Sequence, residues 1–172
     1  MILNKLQEAG IEVIAIGKIN DIFVGQGISR AIHSSGDADG MDKAIELAQL
    51  DEENKFIFVN LVQFDSHYGH RRNVDGFASN VATLDSKLGK LIQVMKKDDL
   101  LIMTSDHGND PAYPGFNHTR EMLPLTIYSK LFKEPRVLND VTGLGTTGNI
   151  VARNFGVETV SLTGEDIFDK LV

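Results

Sequence analysis

Two apolar runs separated by one long amphipathic segment constrain the fold of this chain most. Residues 56–62 form a nearly continuous apolar run, and residues 100–104 form a second one. Between them, apolar side chains recur alternately four and three residues apart from Phe77 to Met95, which is a helical period. Runs without polar alternation are typical of strands covered on both faces. The pattern predicts a β-α-β unit with parallel strands and a right-handed crossover.

The flanking segments predict further elements of the same α/β class. Apolar spacing, glycine stops and short buried runs indicate helices over 2–9, 41–50, 147–154 and 164–171, and strands over 12–16 and 123–128. We expect Thr163 to cap the last helix and residues 19–39 to form a long loop. The expected architecture is a mostly parallel sheet with helices on both faces.

Composition limits the classes of partner. A chain of 172 residues with 42% hydrophobic content suits one domain, and its net charge of -7 argues against a general nucleic-acid binder. Anionic substrates remain compatible, because bound cations would reverse the local field. The chain has no cysteine, which excludes disulfides and thiolate sites. It has no run of about 20 apolar residues, so we expect no membrane partner and a cytoplasmic location.

Metal-ligand side chains follow both apolar runs. Asp106 and His107 directly follow the second run, with His118 twelve residues after Asp106. Asp65 and His70 lie shortly after the first run. Carboxylate oxygens combined with imidazole nitrogens suit divalent ions such as manganese or zinc. Because ligands bind outside the carboxyl ends of parallel strands, the two groups are expected to converge as a two-metal phosphoryl-transfer site.

Each of these polar residues also has a simpler interpretation. The Asp-His pair before Gly108 fits an Asx turn equally well, and Asp110 is either a support for a ligand or a turn residue. His67 competes with His70 for the upstream role, and we interpret it as a bystander; His33 is interpreted as a loop residue. Lys18, after the strand predicted at 12–16, would contact a substrate phosphate or remain a solvated lysine. Three arginines would orient carboxylates, meet phosphate or form structural ion pairs: Arg71, Arg72 and Arg120.

The motifs together resemble the phosphopentomutase family, within the alkaline phosphatase superfamily. The resemblance runs along nearly the whole chain and is carried by Gly17-Lys18-Ile19, Asp21-Ile22-Phe23, Asn60-Leu61-Val62, Phe64-Asp65, Tyr68-Gly69-His70-Arg71-Arg72, Asp106-His107-Gly108-Asn109-Asp110-Pro111 and His118-Thr119-Arg120-Glu121. The last two motifs are the most specific.

The resemblance implies a ligand set and a reaction. Asp65, His70 and His118 would hold one manganese ion, while Asp106 and His107 would hold the other; zinc or another divalent ion is the alternative. The family is a manganese-dependent isomerase of pentose phosphate and nucleotide metabolism. It interconverts ribose 1-phosphate and ribose 5-phosphate, and the deoxyribose analogues, through a phosphothreonine. Its partners are therefore small sugar phosphates.

The resemblance also implies that parts of the family's protein are outside this sequence. No threonine of residues 1–172 occupies the nucleophile's motif, and neither the amino-terminal strand with a further aspartate ligand nor the cap domain can be placed. We therefore expect a partial alkaline-phosphatase-like core, inactive by itself. The alternatives are another enzyme of the superfamily, such as cofactor-independent phosphoglycerate mutase or a phosphatase, and a non-catalytic metal-binding module. Four residues depart from the family's pattern: Gln63, Ser66, Asn73 and Asn117.

Overall fold

A computed structural model of the protein describes residues 1–158 and 163–171. The elements, in chain order, are α1 (Ile2–Glu8), β1 (Glu12–Ile16), α2 (Ile19–Ile22), β2 (Arg30–Ile32), α3 (Asp37–Gln49), β3 (Lys55–Val59), a π-helical turn (Phe64–Gly69), α4 (Val74–Val94), β4 (Leu101–Thr104), β5 (Leu125–Tyr128), α5 (Gly145–Asn154) and a 3-10 turn (Phe168–Lys170). The predicted α/β class is confirmed. No helix of the described residues is long and apolar enough to cross a membrane.

The main sheet has three parallel strands in the order β2-β1-β3. Its central strand β1 buries opposite faces in alternation, as a strand's period of two requires. Val13 packs with side chains of α1 and α5, whereas Ile14 and Ile16 pack with side chains of α3. All three side chains are fully buried. Helices therefore cover both faces of the sheet, as the sequence predicts.

The predicted β-α-β pairing differs from the structure. Within the described residues β4 forms no ladder with β3; it pairs antiparallel with β5 as a separate two-stranded sheet. Leu101 nevertheless packs on the side of α3 and α4, and Ile102 packs with the cluster that contains Phe56 and Phe58. The apolar runs thus predict strands, but β3 and β4 are only partly buried. An apolar run also carries no information about which neighbour supplies the backbone hydrogen bonds.

The expected loop over residues 19–39 is wrong. This segment contains α2, the three-residue strand β2 and the first turn of α3, which begins at Asp37 instead of Met41. Strand β2 exists because Ile14, Ala15 and Ile16 offer it a parallel edge. Three residues are too few to show a sequence period, so this strand depends on its tertiary partner.

The predicted helix over 164–171 is also wrong, and Thr163 caps no helix there. Only a 3-10 turn over 168–170 forms. Arg153 of α5 donates to Asp166 at 2.8 Å and to Asp169 at 2.6 Å. Asp166 also accepts a hydrogen bond from the backbone N–H of Phe168 at 3.1 Å. Such side-chain turns compete with helical hydrogen bonds, so the tail follows α5 instead of forming a helix.

A buried carboxylate connects α3 to the segment that follows β3. The Asp37 side chain is 2% exposed and accepts hydrogen bonds from the Gln63 backbone N–H at 2.9 Å and from the Asn80 side chain of α4 at 2.9 Å. The Gln63 side chain in turn accepts the backbone N–H of Asp37 at 2.7 Å. This reciprocal pair sets where the π-helical turn begins.

Replacing Asp37 with alanine is expected to lower the free energy of unfolding by about 2–4 kcal/mol, because each buried donor left without a partner costs about 1–3 kcal/mol. Denaturant midpoints at constant slope would measure the loss. The matched control is Asp42→Ala in the same helix, since Asp42 is 52% exposed and pairs with Lys87. The control should cost at most about 1 kcal/mol. Equal losses in both variants would contradict the role of Asp37.

A second carboxylate of α3 makes stability depend on pH. The Lys43 ammonium, and next the backbone N–H of Ser35, lower the pKa of the Asp39 carboxyl from 3.8 to about 2. A lowered pKa contributes stability above the ordinary value and loses it as the pH falls through the folded value. The contribution of Asp39 is therefore complete above about pH 5 and disappears between about pH 4 and pH 2.

Urea unfolding of the wild type and of Asp39→Asn at several pH values tests this dependence. The difference between their midpoints should be constant above about pH 5 and shrink toward pH 2, since the ionised carboxylate is what the variant lacks. The variant Lys43→Met, which removes the largest cause of the shift, should return the pKa of Asp39 toward 3.8. A midpoint difference that does not change with pH would rule this mechanism out.

Candidate metal centre

A π-helical turn brings the two upstream residues together. The His70 backbone N–H bonds to the Asp65 carbonyl at 2.9 Å, which is the five-residue spacing of a π-helix. In an α-helix, residues five apart point about 140° away from each other. Here the Asp65 Oδ1 and His70 Nε2 atoms lie 3.3 Å apart. The unusual turn therefore makes one ligand pair from two residues of a single segment.

A β-bridge brings the two downstream histidines together. Gly108 and Thr119 form an isolated antiparallel bridge, which places His107 and His118 on one face as diagonal neighbours, within reach for their rings to meet. The two imidazole rings stack with centroids 3.6 Å apart and planes 16° apart. A Cβ atom at Gly108 would lie 2.8 Å from the Thr119 carbonyl, so the close approach of the strands requires glycine here.

The upstream and downstream groups converge on Asp65. Its Oδ1 lies 3.2 Å from His118 Nε2 and 3.9 Å from His107 Nε2. His70 Nε2 lies 3.0 Å from His118 Nε2. Asp65, His107 and His118 offer ligand atoms that all lie within 4.8 Å of one another. Four of the five residues predicted as ligands thus lie in one cluster at the carboxyl ends of β3 and β4.

The orientation of this cluster suits a cation. His70 Nδ1 lies 2.7 Å from the Phe116 carbonyl, which can only accept, so Nδ1 carries the proton and Nε2 of the neutral ring has a free lone pair. Asn109 Nδ2 donates to Asp65 Oδ1 at 2.7 Å. Partners of this kind fix the tautomer and direction of metal ligands in proteins. Together with the mixed oxygen and nitrogen donors, they fit a divalent ion such as manganese or zinc.

Asp106 lies at the rim of the cluster. Its side chain is 85% exposed, and its Oδ2 lies 3.7 Å from His107 Nε2. The family resemblance implies that Asp106 and His107 hold a second ion, whereas the structure brings His107 to Asp65 and His118 as well. The division of the ligands between two ions remains a prediction.

The other candidate residues have different surroundings. His67 and His33 are exposed, and the His67 ring lies 3.3 Å from the hydroxyl of its neighbour Ser66. The Asp110 carboxylate accepts the Ala112 backbone N–H at 2.8 Å, which is a turn contact. Lys18 is exposed at the start of α2, directly after β1.

The backbone at Gly17 brings Lys18 to the same edge of the sheet as the segment that leads to Asp65. Gly17 has a φ of 78°, and a Cβ atom there would lie 2.7 Å from the Asn60 carbonyl. Only glycine combines this conformation with so close an approach. Gly17 therefore packs against the first residue after β3, and Lys18 follows it directly before α2.

The four departures from the family's pattern have structural contacts of their own. Gln63 pairs with Asp37, and Ser66 Oγ donates to the Val62 carbonyl at 2.9 Å. Asn73 caps α4 by accepting the Gly76 backbone N–H at 2.9 Å. Asn117 contributes its backbone carbonyl to a hydrogen bond from Arg72. None of these contacts removes a ligand atom from the cluster.

Two supporting residues were not identified as such from the sequence. Asn109 lies inside the Asp106–Asp110 motif, but asparagine is also common in turns, so its residue type does not indicate a supporting role. The Phe116 carbonyl belongs to the backbone, so no pattern of side chains in the sequence predicts its role. Both are recognised only when residues more than forty positions apart come into contact.

Comparison with known proteins agrees with this geometry. Residues 2–159 match the model of the family described as the Metalloenzyme superfamily. The chain belongs to this superfamily. It is 60% identical to the phosphopentomutase of Mycoplasmopsis pulmonis over 170 residues. This match covers 99% of this chain and 43% of that protein. It is 46% identical over 155 residues to the phosphopentomutase of Levilactobacillus brevis, covering 90% of this chain and 39% of that protein.

This metalloenzyme-superfamily chain thus spans less than half the length of the curated relatives it matches. Membership in the superfamily and the triad of Asp65, His107 and His118 together support the use of a divalent metal. The identity of the ion is left to experiment, because manganese and zinc both accept these donors.

Removing one imidazole from the cluster tests metal binding. Loss of a residue that hydrogen-bonds to a metal ligand lowers metal affinity by roughly 10–100-fold. His118→Ala removes a ligand itself, so it is expected to lower the affinity for Mn²⁺ or Zn²⁺ by more than that. His67→Ala is the matched control, because this exposed histidine belongs to the same π-helical turn as Asp65 and should leave the affinity unchanged. Isothermal titration of each metal into the metal-free chain would measure both. Equal affinities in the two variants would remove His118 from the site.

Proposed function

We propose that this chain is the carboxyl-terminal, metal-binding portion of the core of a phosphopentomutase. The observation that carries the proposal is the convergence of three imidazole nitrogens on Asp65 Oδ1, at 3.2, 3.3 and 3.9 Å. This cluster occurs in a chain 60% identical to a protein named phosphopentomutase. The convergent donors support metal binding, and the close similarity supports the mutase activity.

The proposed reaction interconverts ribose 1-phosphate and ribose 5-phosphate, and the deoxyribose analogues, through a phosphothreonine. The substrates are small sugar phosphates, and the metal cofactor is a pair of manganese ions. The protein would act in the cytoplasm. When bound, such ions offset the charge of the transferring phosphoryl group and stabilise its attacking and leaving oxygens.

The chain's own residues have separate tasks in this proposal. Asp65, His70 and His118 would hold one ion, with Asn109 keeping the Asp65 carboxylate turned toward the imidazoles. His107 and the exposed Asp106 would hold the other ion. Lys18, beside the same edge of the sheet, would contact a substrate phosphate as a point charge.

The nucleophilic threonine and a further aspartate ligand would come from another part of a longer polypeptide, together with a cap domain. The length of the relatives supports this division, since they are more than twice as long as this chain. Because the nucleophile is missing from this portion, the isolated chain would have no mutase activity.

A chimera tests whether this portion supports the reaction. The matching segment of the Mycoplasmopsis pulmonis relative would be replaced by residues 1–171 of this chain, and conversion of ribose 1-phosphate would be followed with Mn²⁺ present. The chimera should be active, while the isolated chain should not exceed background. His118→Ala in the chimera should lower kcat/KM by more than about 100-fold, because losing a metal ligand reduces activity more than losing a residue that hydrogen-bonds to a ligand.

The matched control is His67→Ala in the same chimera, which should retain activity. A chimera that folds and binds Mn²⁺ but converts no ribose 1-phosphate would contradict the proposed function. Conversion of a different phosphorylated substrate by that chimera would transfer the assignment to another reaction of the superfamily.

A further inference from the structure

The Arg72 guanidinium binds the loop that connects the two downstream histidines. Its Nη1 donates to the Asn109 side-chain oxygen at 3.0 Å and to the Asp110 carbonyl at 2.7 Å. Its Nη2 donates to the Asn117 carbonyl at 2.7 Å, and its Nε donates to the Gly115 carbonyl. Four hydrogen bonds from one half-buried side chain thus hold residues 109–117.

One of these bonds orients Asp65 through an amide. Because Arg72 donates to Asn109 Oδ1, the Asn109 amide must turn its Nδ2 group the other way. That Nδ2 group donates to Asp65 Oδ1 at 2.7 Å. Arg72 therefore selects one of the two amide orientations, and only this one presents a donor to the carboxylate.

Two further bonds hold the partner of His70. Arg72 binds the carbonyls of Gly115 and Asn117, which flank Phe116 on both sides. The Phe116 carbonyl accepts the Nδ1 proton of His70 at 2.7 Å. Fixing both neighbours fixes the direction of the carbonyl between them. The tautomer of His70 therefore depends on the same guanidinium.

We propose that Arg72 is a positioning residue of the metal centre. It joins the upstream segment to the downstream loop, and it acts on Asp65 through Asn109 and on His70 through Phe116. The role rests on the proposed function only in that the cluster is taken to bind a metal. Four of the five guanidinium N–H groups are engaged within the protein, so Arg72 does not serve as a phosphate contact.

The backbone conformation of Arg72 is unusual, which is consistent with the surrounding contacts holding it in place. Its φ is 51°, in the left-handed region that non-glycine residues seldom adopt. Such conformations cost of order 1–3 kcal/mol and persist where surrounding contacts determine them. The four side-chain hydrogen bonds are contacts of this kind. They direct the side chain toward residues 109–117.

The substitution Arg72→Lys separates geometry from charge. Lysine keeps the charge but has no planar fork to reach four acceptors in fixed directions. Arg71→Lys is the matched control, since Arg71 is exposed and adjacent in sequence. Two quantities would be measured on the full chain: the affinity for Mn²⁺ by isothermal titration, and the His70 tautomer in the metal-free chain by ¹H–¹⁵N correlation at about pH 8, where free imidazole is neutral.

Arg72→Lys should lower the Mn²⁺ affinity by about 10–100-fold, which is the usual effect of losing a residue that supports the metal ligands. It should also convert His70 from the Nδ1–H form to a mixture of tautomers, which a general loss of stability would not do. Arg71→Lys should change neither quantity. A wild-type tautomer and affinity in folded Arg72→Lys would overturn the proposal.

A second variant keeps the test decisive if Arg72→Lys does not fold. Asn109→Ala interrupts only the path to Asp65, so it should lower the Mn²⁺ affinity and leave the His70 tautomer unchanged. Unchanged affinity in Asn109→Ala would overturn that path. If the wild type binds no Mn²⁺, the proposed function fails, while the tautomer of metal-free Arg72→Lys still decides whether Arg72 positions His70.

Discussion

The buried hydrogen-bond pair between Asp37 and Gln63 connects the packed core to the candidate metal centre. Asp37 begins α3, where the helix dipole favours a negative charge, and its carboxylate also binds Asn80 of α4. Gln63 immediately precedes the π-helical turn that carries Asp65. Two helices therefore determine where this turn starts, and the turn determines where the first ligand lies.

The cluster at Asp65 brings together groups that would otherwise repel. His70 Nε2 and His118 Nε2 are 3.0 Å apart, so a proton or a cation must lie between their lone pairs. Two hydrogen bonds from outside the ligand set hold the arrangement, one from Asn109 and one to the Phe116 carbonyl. Arg72 supports both, so one side chain stabilises a close approach that a divalent ion would then use.

Sequence reasoning anticipated which side chains lie together at the candidate site better than it anticipated their grouping. Asp65, His70, His107 and His118 converge as expected near the carboxyl ends of β3 and β4, although these two strands share no ladder within the described residues. The grouping of His107 with Asp65 and His118 comes from the Gly108–Thr119 bridge and ring stacking, which depend on contacts distant in sequence. The π-helical turn was not predicted either, since a one-residue widening of a turn leaves no apolar period.

The sequence alone determined the α/β class, the long helix α4, the positions of strands β1, β3, β4 and β5, and the chemistry of the donor atoms. Those properties follow from local periodicity and residue type, which each segment carries by itself. Tertiary structure alone decided that β4 pairs with β5, that residues 30–32 become a strand and that residues 164–171 do not become a helix. Backbone hydrogen bonds and ion pairs between distant segments govern these outcomes, and their energies depend on which partner the fold brings within reach.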